Sequence, residues 1–276
     1  PALLAYVYKY KDSSALSATQ AFYGLGGFAI SFIVGIVLGK GGFFGTGNFV
    51  LGAVCVALAV VIPFAKLDGN EITDAPEETI RPLYSKNTKL ALFVSGLVCF
   101  AYCMGISALC SYTASFGSHT LGLLDSVVSY LLTVYNVGAI IGSIAFIWIL
   151  KYVSERVSLI VCDVVCAAGM ILAFALNNVT CYFVILFVVG VFYGVIFTIV
   201  LAIGTRIGYE HISVASSLVA MFGGAGDSIQ PLITSRVVAL YGVGTTYKFT
   251  IVFMMVTLVI SLVLVKMTSE KPLESE

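Results

Sequence analysis

Apolar residues dominate eight stretches of the chain, and short polar segments separate them. The stretches cover residues 17–39, 48–65, 89–112, 126–150, 157–176, 179–204, 213–239 and 246–267. Each approaches the length of about 20 mostly apolar residues that an α-helix needs to cross a bilayer. The pattern predicts an all-α polytopic membrane protein with eight transmembrane helices. Residues 1–8 are apolar but too short to span, and we interpret them as the end of a further helix.

The composition narrows the class of protein. Of 276 residues, 60% are hydrophobic and only 10% are charged, against about 25% in soluble domains. The net charge is zero, which gives no basic surface for nucleic acid. No room remains for a soluble catalytic domain, so we expect neither an enzyme nor a cofactor. The seven cysteines lie in or at the ends of the spans without a C-x-x-C; we interpret them as buried small side chains, not as a metal site.

Basic residues indicate the orientation of the predicted helices. Eleven of the 14 lysines and arginines fall on one side of the eight spans. Cytoplasmic loops carry the excess of positive charge in membrane proteins. The pattern predicts that both chain ends are cytoplasmic, together with the polar stretch 66–88. That stretch is the longest between spans, and we interpret it as a linker between two helical bundles.

The first and seventh spans share a sequence pattern. Four identities coincide at an offset of 199 residues, and they follow one another at steps of three: Ala21 with Ala220, Gly24 with Gly223, Gly27 with Gly226, and Ile30 with Ile229. A parallel repeat of six helices explains the pattern, and coincidence between two glycine-rich helices is the alternative. A true repeat implies four further helices before this chain and twelve in the intact protein.

These features carry a resemblance to a known family. The cut first helix, the linker after the second span and the six-helix repeat resemble the last two-thirds of a major facilitator superfamily transporter, helices five to twelve. Gly138, Gly142, Lys151 and Arg156 resemble the family's glycine-plus-basic loop between helices eight and nine, although its Asp-Arg core is lacking. The segment from Gln20 to Gly26 weakly resembles the fucose–proton symporter branch.

The resemblance implies an organisation and a function. Residues 1–65 would end an N-terminal bundle, 66–88 form the linker, 89–267 form a C-terminal six-helix bundle, and 268–276 form a cytoplasmic tail. The protein would move a small solute by alternating access, driven by protons, in a plasma or bacterial inner membrane. Its expected partners are the solute, protons, lipid and the missing N-terminal helices. The substrate, the coupling ion and the direction of transport stay open.

Polar residues inside the spans are the candidates for solute or ion binding. An ionisable group at this depth is costly unless it is paired or hydrated. Asp227 follows a run of glycines at mid-span, and Gln230 continues its face at i+3. Asn136, Tyr193 and Tyr102 lie at similar depth, and Gln20 lies nearer the cytoplasmic end. Such side chains suit a neutral hydroxylated solute such as a sugar, but they also suit hydrogen bonds between helices.

Two further groups of residues have predicted roles. Lys151, Arg156 and Asp163 lie where charges of the family latch the cytoplasmic side, and a structural ion pair is the alternative. Gly27, Gly35, Gly39, Gly138 and Gly142 form small-residue faces that permit close helix contact. In the family, helices five and eight touch across the two halves, so these faces could be where the halves rock; static packing is equally compatible.

Two other functions are compatible with parts of the sequence. A non-transporting sensor or scaffold of the same fold would have nearly the same pattern, although a mid-span carboxylate favours a carrier. Residues 224–227 read Gly-Ala-Gly-Asp, the G-x-G-D of one group of intramembrane aspartyl proteases. Such enzymes need a second aspartate on the preceding helix, and the nearest candidate, Asp163, is two spans earlier.

Overall fold

The computed structural model describes residues 12–40, 45–61 and 83–270, and this part of the chain is almost entirely helical. The helices are α1 (Asp12–Gly39), α2 (Thr46–Val61), α3 (Thr88–His119), α4 (Asp125–Tyr152), α5 (Glu155–Leu176), α6 (Val179–Tyr193), α7 (Ile196–Ile207) and α8 (Ile212–Met267). Two short strands, β1 (Leu83–Tyr84) and β2 (Ser269–Glu270), flank the last six helices.

The chain is a multi-pass membrane protein. Among the described residues, five helices are long and apolar enough to cross a bilayer: α3, α4, α5, the segment Val179–Ile207 that joins α6 to α7, and α8. Helices α1 and α2 overlap the first two predicted spans. Within α1, the apolar segment Gly24–Gly39 is shorter than the five spanning helices. The total of eight spans, and the four helices expected before them, stay predictions.

The long helix α8 contains a break at Gly242. The backbone there has φ 78° and ψ 171°, a conformation that costs glycine little because it has no Cβ. The break lies between the predicted spans 213–239 and 246–267, so each half corresponds to one of them. Pro231 lies within the helical part of α8, and the helix continues through it.

Helix packing places α3, α5 and α8 around a shared interior. Helix α3 lies along α8, and α5 packs against α6, α7 and α8. Near one end, the Phe116 ring of α3 stacks on Tyr247 of α8 with centroids 4.5 Å apart. The Phe174 ring contacts both members of this pair, and the Tyr182 ring contacts Phe116 and Phe174. Such aromatic pairs add to the packing between helices beyond their buried area.

The two short strands lie before and after the last six helices in the chain and pair with each other. β1 pairs with β2 in antiparallel register, with Leu83 opposite Glu270 and Tyr84 opposite Ser269. Leu83 is buried, and the Asn87 side chain caps α3 by accepting from the Leu90 amide. The predicted linker 66–88 is described only from residue 83 onwards, and residues 1–11, 41–44, 62–82 and 271–276 lie outside the described part.

Candidate transport site and helix interfaces

Glycines of α1 bring this helix directly against α4. A Cβ on Gly27 would lie 2.6 Å from Oδ1 of Asn136, far inside ordinary contact distance. Asn136 is half-buried, and its Nδ2 donates to the Leu132 carbonyl at 2.9 Å. That bond leaves Oδ1 as the atom beside Gly27. Asn136 therefore lies at the interface between the two predicted bundles.

The contact continues along the length of both helices. A Cβ on Gly24 would lie 3.0 Å from Ile140, one on Gly35 would lie 3.2 Å from the Tyr130 ring, and one on Gly39 would lie 3.7 Å from Cβ of Ser126. Partner numbers fall as α1 numbers rise, so the helices run antiparallel. This is the contact that the resemblance implies between helices five and eight. Its role in rocking of the halves stays a prediction.

The glycines of α4 face a different neighbour. A Cβ on Gly138 would collide with the Phe187 carbonyl of α6, and one on Gly142 would collide with the Val191 carbonyl. Both collisions are with backbone, which cannot rotate away as a side chain can. Gly138 and Gly142 therefore pack inside the predicted C-terminal bundle, whereas the α1 glycines pack between bundles. The α1 glycines and the α4 glycines therefore do not belong to a single surface on which the two halves could rock.

The glycines that the first and seventh predicted spans share all lie at close helix contacts, but one contact is between the predicted bundles and the other is within one of them. Gly24 and Gly27 of α1 lie against α4, and their counterparts in α8 lie against α3. A Cβ on Gly223 would lie 3.0 Å from Sγ of Cys99, and one on Gly226 would lie 2.5 Å from the Phe100 carbonyl. The shared pattern thus has a shared structural use, the close crossing of two helices.

Asp227 and Gln230 differ in their surroundings. Asp227 is exposed on α8, whereas Gln230 is fully buried. The Nε2 of Gln230 donates to Oγ1 of Thr234 at 2.9 Å, and the Tyr112 hydroxyl of α3 donates to the same oxygen at 2.9 Å. The sequence predicts one common face for Asp227 and Gln230. In the structure the contact with α3 covers Gln230 but leaves Asp227 exposed. The bond between the helices is the one from Tyr112 to Thr234, and Gln230 supports Thr234 from within α8.

Tyr102 and Tyr193 lie in the core of the bundle. They are 2% and 0% exposed, and their ring centroids are 4.8 Å apart. The Tyr193 hydroxyl donates to the Tyr102 carbonyl at 3.3 Å. In this conformation the pair contacts protein on all sides, so direct contact with a solute would need a rearrangement. Gln20 lies on α1, and its side chain is outside the described set.

The three predicted gate residues do not contact one another through hydrogen bonds. Lys151 is exposed at the end of α4, and Arg156 donates to the Thr268 carbonyl just before β2 at 2.7 Å. Asp163 is 1% exposed, and neither of its carboxylate oxygens has a hydrogen-bond partner. The gate function of these residues stays a prediction, with Asp163 well inside the bundle.

An ion pair that was not predicted from the sequence lies at the end of the bundle where α5 begins. Arg206 at the end of α7 pairs with Glu155 in the first turn of α5. The signal available in the sequence is a lone arginine closing an apolar helix and an acidic residue opening another. Among the described residues, no group of three or more His, Cys, Asp or Glu side chains could hold a metal ion.

Part of the chain matches the model of a known protein family. Residues 84–203 match the model of the family described as "Sugar (and other) transporter". This family belongs to the major facilitator superfamily, so the match supports that resemblance. It runs from β1 through most of α7 and includes Asn136, Asp163 and Tyr193, but neither α1 nor Asp227. No curated protein sequence matches the chain. The fucose–proton symporter branch stays a prediction.

Proposed function

We propose that this protein is a secondary transporter that moves a small solute, most simply a sugar, across the membrane. The observation that carries the proposal is the match of residues 84–203 to the sugar and other transporter family. The G-x-G-D protease alternative gains nothing from that match. Asp163 is buried whereas Asp227 is exposed, so the two aspartates do not share the common environment that a catalytic pair needs.

Asp227 is the group we assign to solute or proton binding. It is exposed on α8, one residue after Gly226, which packs against α3. A carboxylate accepts hydrogen bonds from sugar hydroxyls and can also take a proton. Asn136, at the α1–α4 interface, offers an amide that both donates and accepts. The two residues are on different helices of the predicted C-terminal bundle.

Alternating access would use the α1–α4 contact. Small residues let two helices approach closely without interlocking side chains. Gly27, Gly35 and Gly39 give α1 such a surface against α4. We infer that the N-terminal half rocks along this surface, exposing the solute site to one side of the membrane and then to the other. We infer proton coupling, with the family resemblance and the carboxylate at Asp227 as its support.

Uptake by the full-length protein in liposomes tests the proposal. Radiolabelled hexoses, pentoses and their alcohols would be offered singly, with and without an inward proton gradient. We expect saturable uptake of at least one sugar, increased by the gradient. Asp227→Asn should remove the effect of the gradient. The control Ser235→Ala, at an exposed position of the same helix, should leave that effect unchanged. A folded protein that moves none of the solutes would favour the sensor or scaffold.

A further inference from the structure

Asp163 is a buried carboxyl group with no partner of its own. It lies two turns into α5 and is 1% exposed. Neither oxygen has a hydrogen-bond partner. The hydroxyl of Ser261 on α8, itself 0% exposed, lies beside the carboxyl and is also without a hydrogen-bond partner. Two unsatisfied polar groups from different helices thus meet inside the bundle.

Among the described residues, no positively charged side chain forms a hydrogen bond with the Asp163 carboxyl group. On its own helix the titratable neighbours are Cys162 and Cys166, and on α6 the neighbour is Tyr193. Helix α8 presents the hydroxyls of Ser261 and Thr257 to this interior. All five side chains are neutral at physiological pH.

The nearby arginines are engaged elsewhere. On α7, the remaining helix packed against α5, the charged residue is Arg206, and it pairs with Glu155. Arg156 extends instead to the Thr268 carbonyl. Neither guanidinium forms a hydrogen bond with the Asp163 carboxylate, because both carboxylate oxygens lack such partners. The site is therefore built from uncharged groups around one acid.

This arrangement has a chemical consequence. A buried carboxylate without a counter-charge is strongly disfavoured and neutralises instead. A protonated carboxyl is both a donor and an acceptor, as is a serine hydroxyl. The two unsatisfied groups then become complementary, since the carboxyl O–H can donate to Ser261 Oγ after a small rotation.

We propose that Asp163 and Ser261 form a proton-binding site inside the bundle, occupied in this packing and emptied when α5 and α8 separate enough to admit water. On binding, an O–H bond forms between a carboxylate oxygen and a proton taken from water; on release, the proton returns to water. The site is distinct from Asp227. Only its use in transport rests on the proposed function, because proton binding itself requires no solute.

Infrared spectroscopy of the full-length protein in lipid bilayers tests the site directly. A protonated carboxyl in an apolar setting gives a C=O stretching band that is separate from the amide bands and moves in D2O. We expect this band at neutral pH in the unsubstituted protein. Asp163→Asn, which is nearly isosteric, should remove it, and the control Asp227→Asn should leave it in place. An identical band in Asp163→Asn would overturn the proposal.

Ser261→Ala provides a second test that does not depend on the folding of the Asn variant. Loss of the serine oxygen should move the carboxyl band to higher frequency without removing it; an unmoved band would contradict the pairing. Spectra in sodium and in choline salts at one pH separate a proton site from a sodium site. A band that sodium abolishes would overturn the proposal. Uptake is measured separately, so a protein with the band but no transport would refute only the proposed function.

Discussion

Gly27 and Asn136 lie at a close crossing of α1 and α4, where a Cβ on the glycine would lie 2.6 Å from the amide oxygen of the asparagine. Asn136 is held by its own bond to Leu132, so a larger residue at position 27 must displace it or separate the helices. The crossing lies between the two predicted bundles. It therefore links local packing to the motion that transport would require.

Gly27→Leu should weaken this crossing. Overpacking a closely packed interface costs about 1–3 kcal/mol, and we expect lower thermal stability together with reduced uptake. Gly26→Leu is the matched control, because a Cβ at Gly26 would meet nothing within 4 Å. Thermal unfolding of both variants in detergent measures the difference. Equal stability of the two variants would mean that the α1–α4 crossing is not tight in the membrane.

Gly142→Ala should destabilise the bundle between α4 and α6. The added methyl group would collide with the Val191 carbonyl, and backbone must shift at a cost of about 1–3 kcal/mol. At Gly169, a Cβ would lie 3.5 Å from Ile185, an ordinary contact. Gly169→Ala should be neutral or stabilising by up to about 1 kcal/mol, because alanine favours helix. Reversal of this order in unfolding measurements would contradict the packing.

Tyr112 and Thr234 should show energetic coupling. Their hydroxyls form a 2.9 Å hydrogen bond between α3 and α8, and such bonds in membrane bundles contribute about 0.6 kcal/mol on average. Thr234→Val should cost more than Tyr112→Phe, since it also removes the partner of Gln230 Nε2. A double-mutant cycle in a refolding assay measures the coupling, and strictly additive effects would argue against the bond.

Arg206→Ala should remove one ion pair from Glu155, whose side chain is largely buried. The two side chains are 19% and 11% exposed, so the loss should be smaller than the roughly 3–5 kcal/mol of a fully buried pair. We expect partial recovery of stability when Glu155→Gln is added, because a largely buried negative charge that has lost an ion pair is then removed. If the double variant were no more stable than Arg206→Ala alone, the stabilising effect of Arg206 would not act through Glu155.

The sequence predicts where the helices lie along the chain better than it predicts which of their faces contact other helices. Long apolar runs place α3 to α8 and even the break near Gly242, because bilayer length and backbone hydrogen bonding leave few alternatives. The contact of α1 with α4 also follows the resemblance and the glycine spacing. Which side of an apolar helix faces protein is weakly encoded when all sides are apolar, so Tyr102 and Tyr193 lie in the core although the sequence suggested a solute site.

The Asp227 region shows the same limit at finer scale. Spacing puts Asp227 and Gln230 on one face, but the edge of the α3 contact passes between them, and only Gln230 is buried. Helical periodicity cannot locate such an edge to within one residue. The hydrogen bond from Tyr112 to Thr234 likewise depends on the register between two distant helices, which no local pattern specifies.

A reversible disulfide between α1 and α4 tests the central claim most directly. A Cβ at Gly39 would lie 3.7 Å from Cβ of Ser126, within the separation of about 3.5–4.5 Å that a disulfide requires. Sugar uptake would be measured in liposomes with Gly39→Cys/Ser126→Cys in full-length protein, before and after reduction, beside each single variant. We predict that the oxidised double variant is inactive, that reduction restores uptake, and that the single variants respond to neither treatment. Undiminished uptake by the fully cross-linked protein would contradict rocking at this interface.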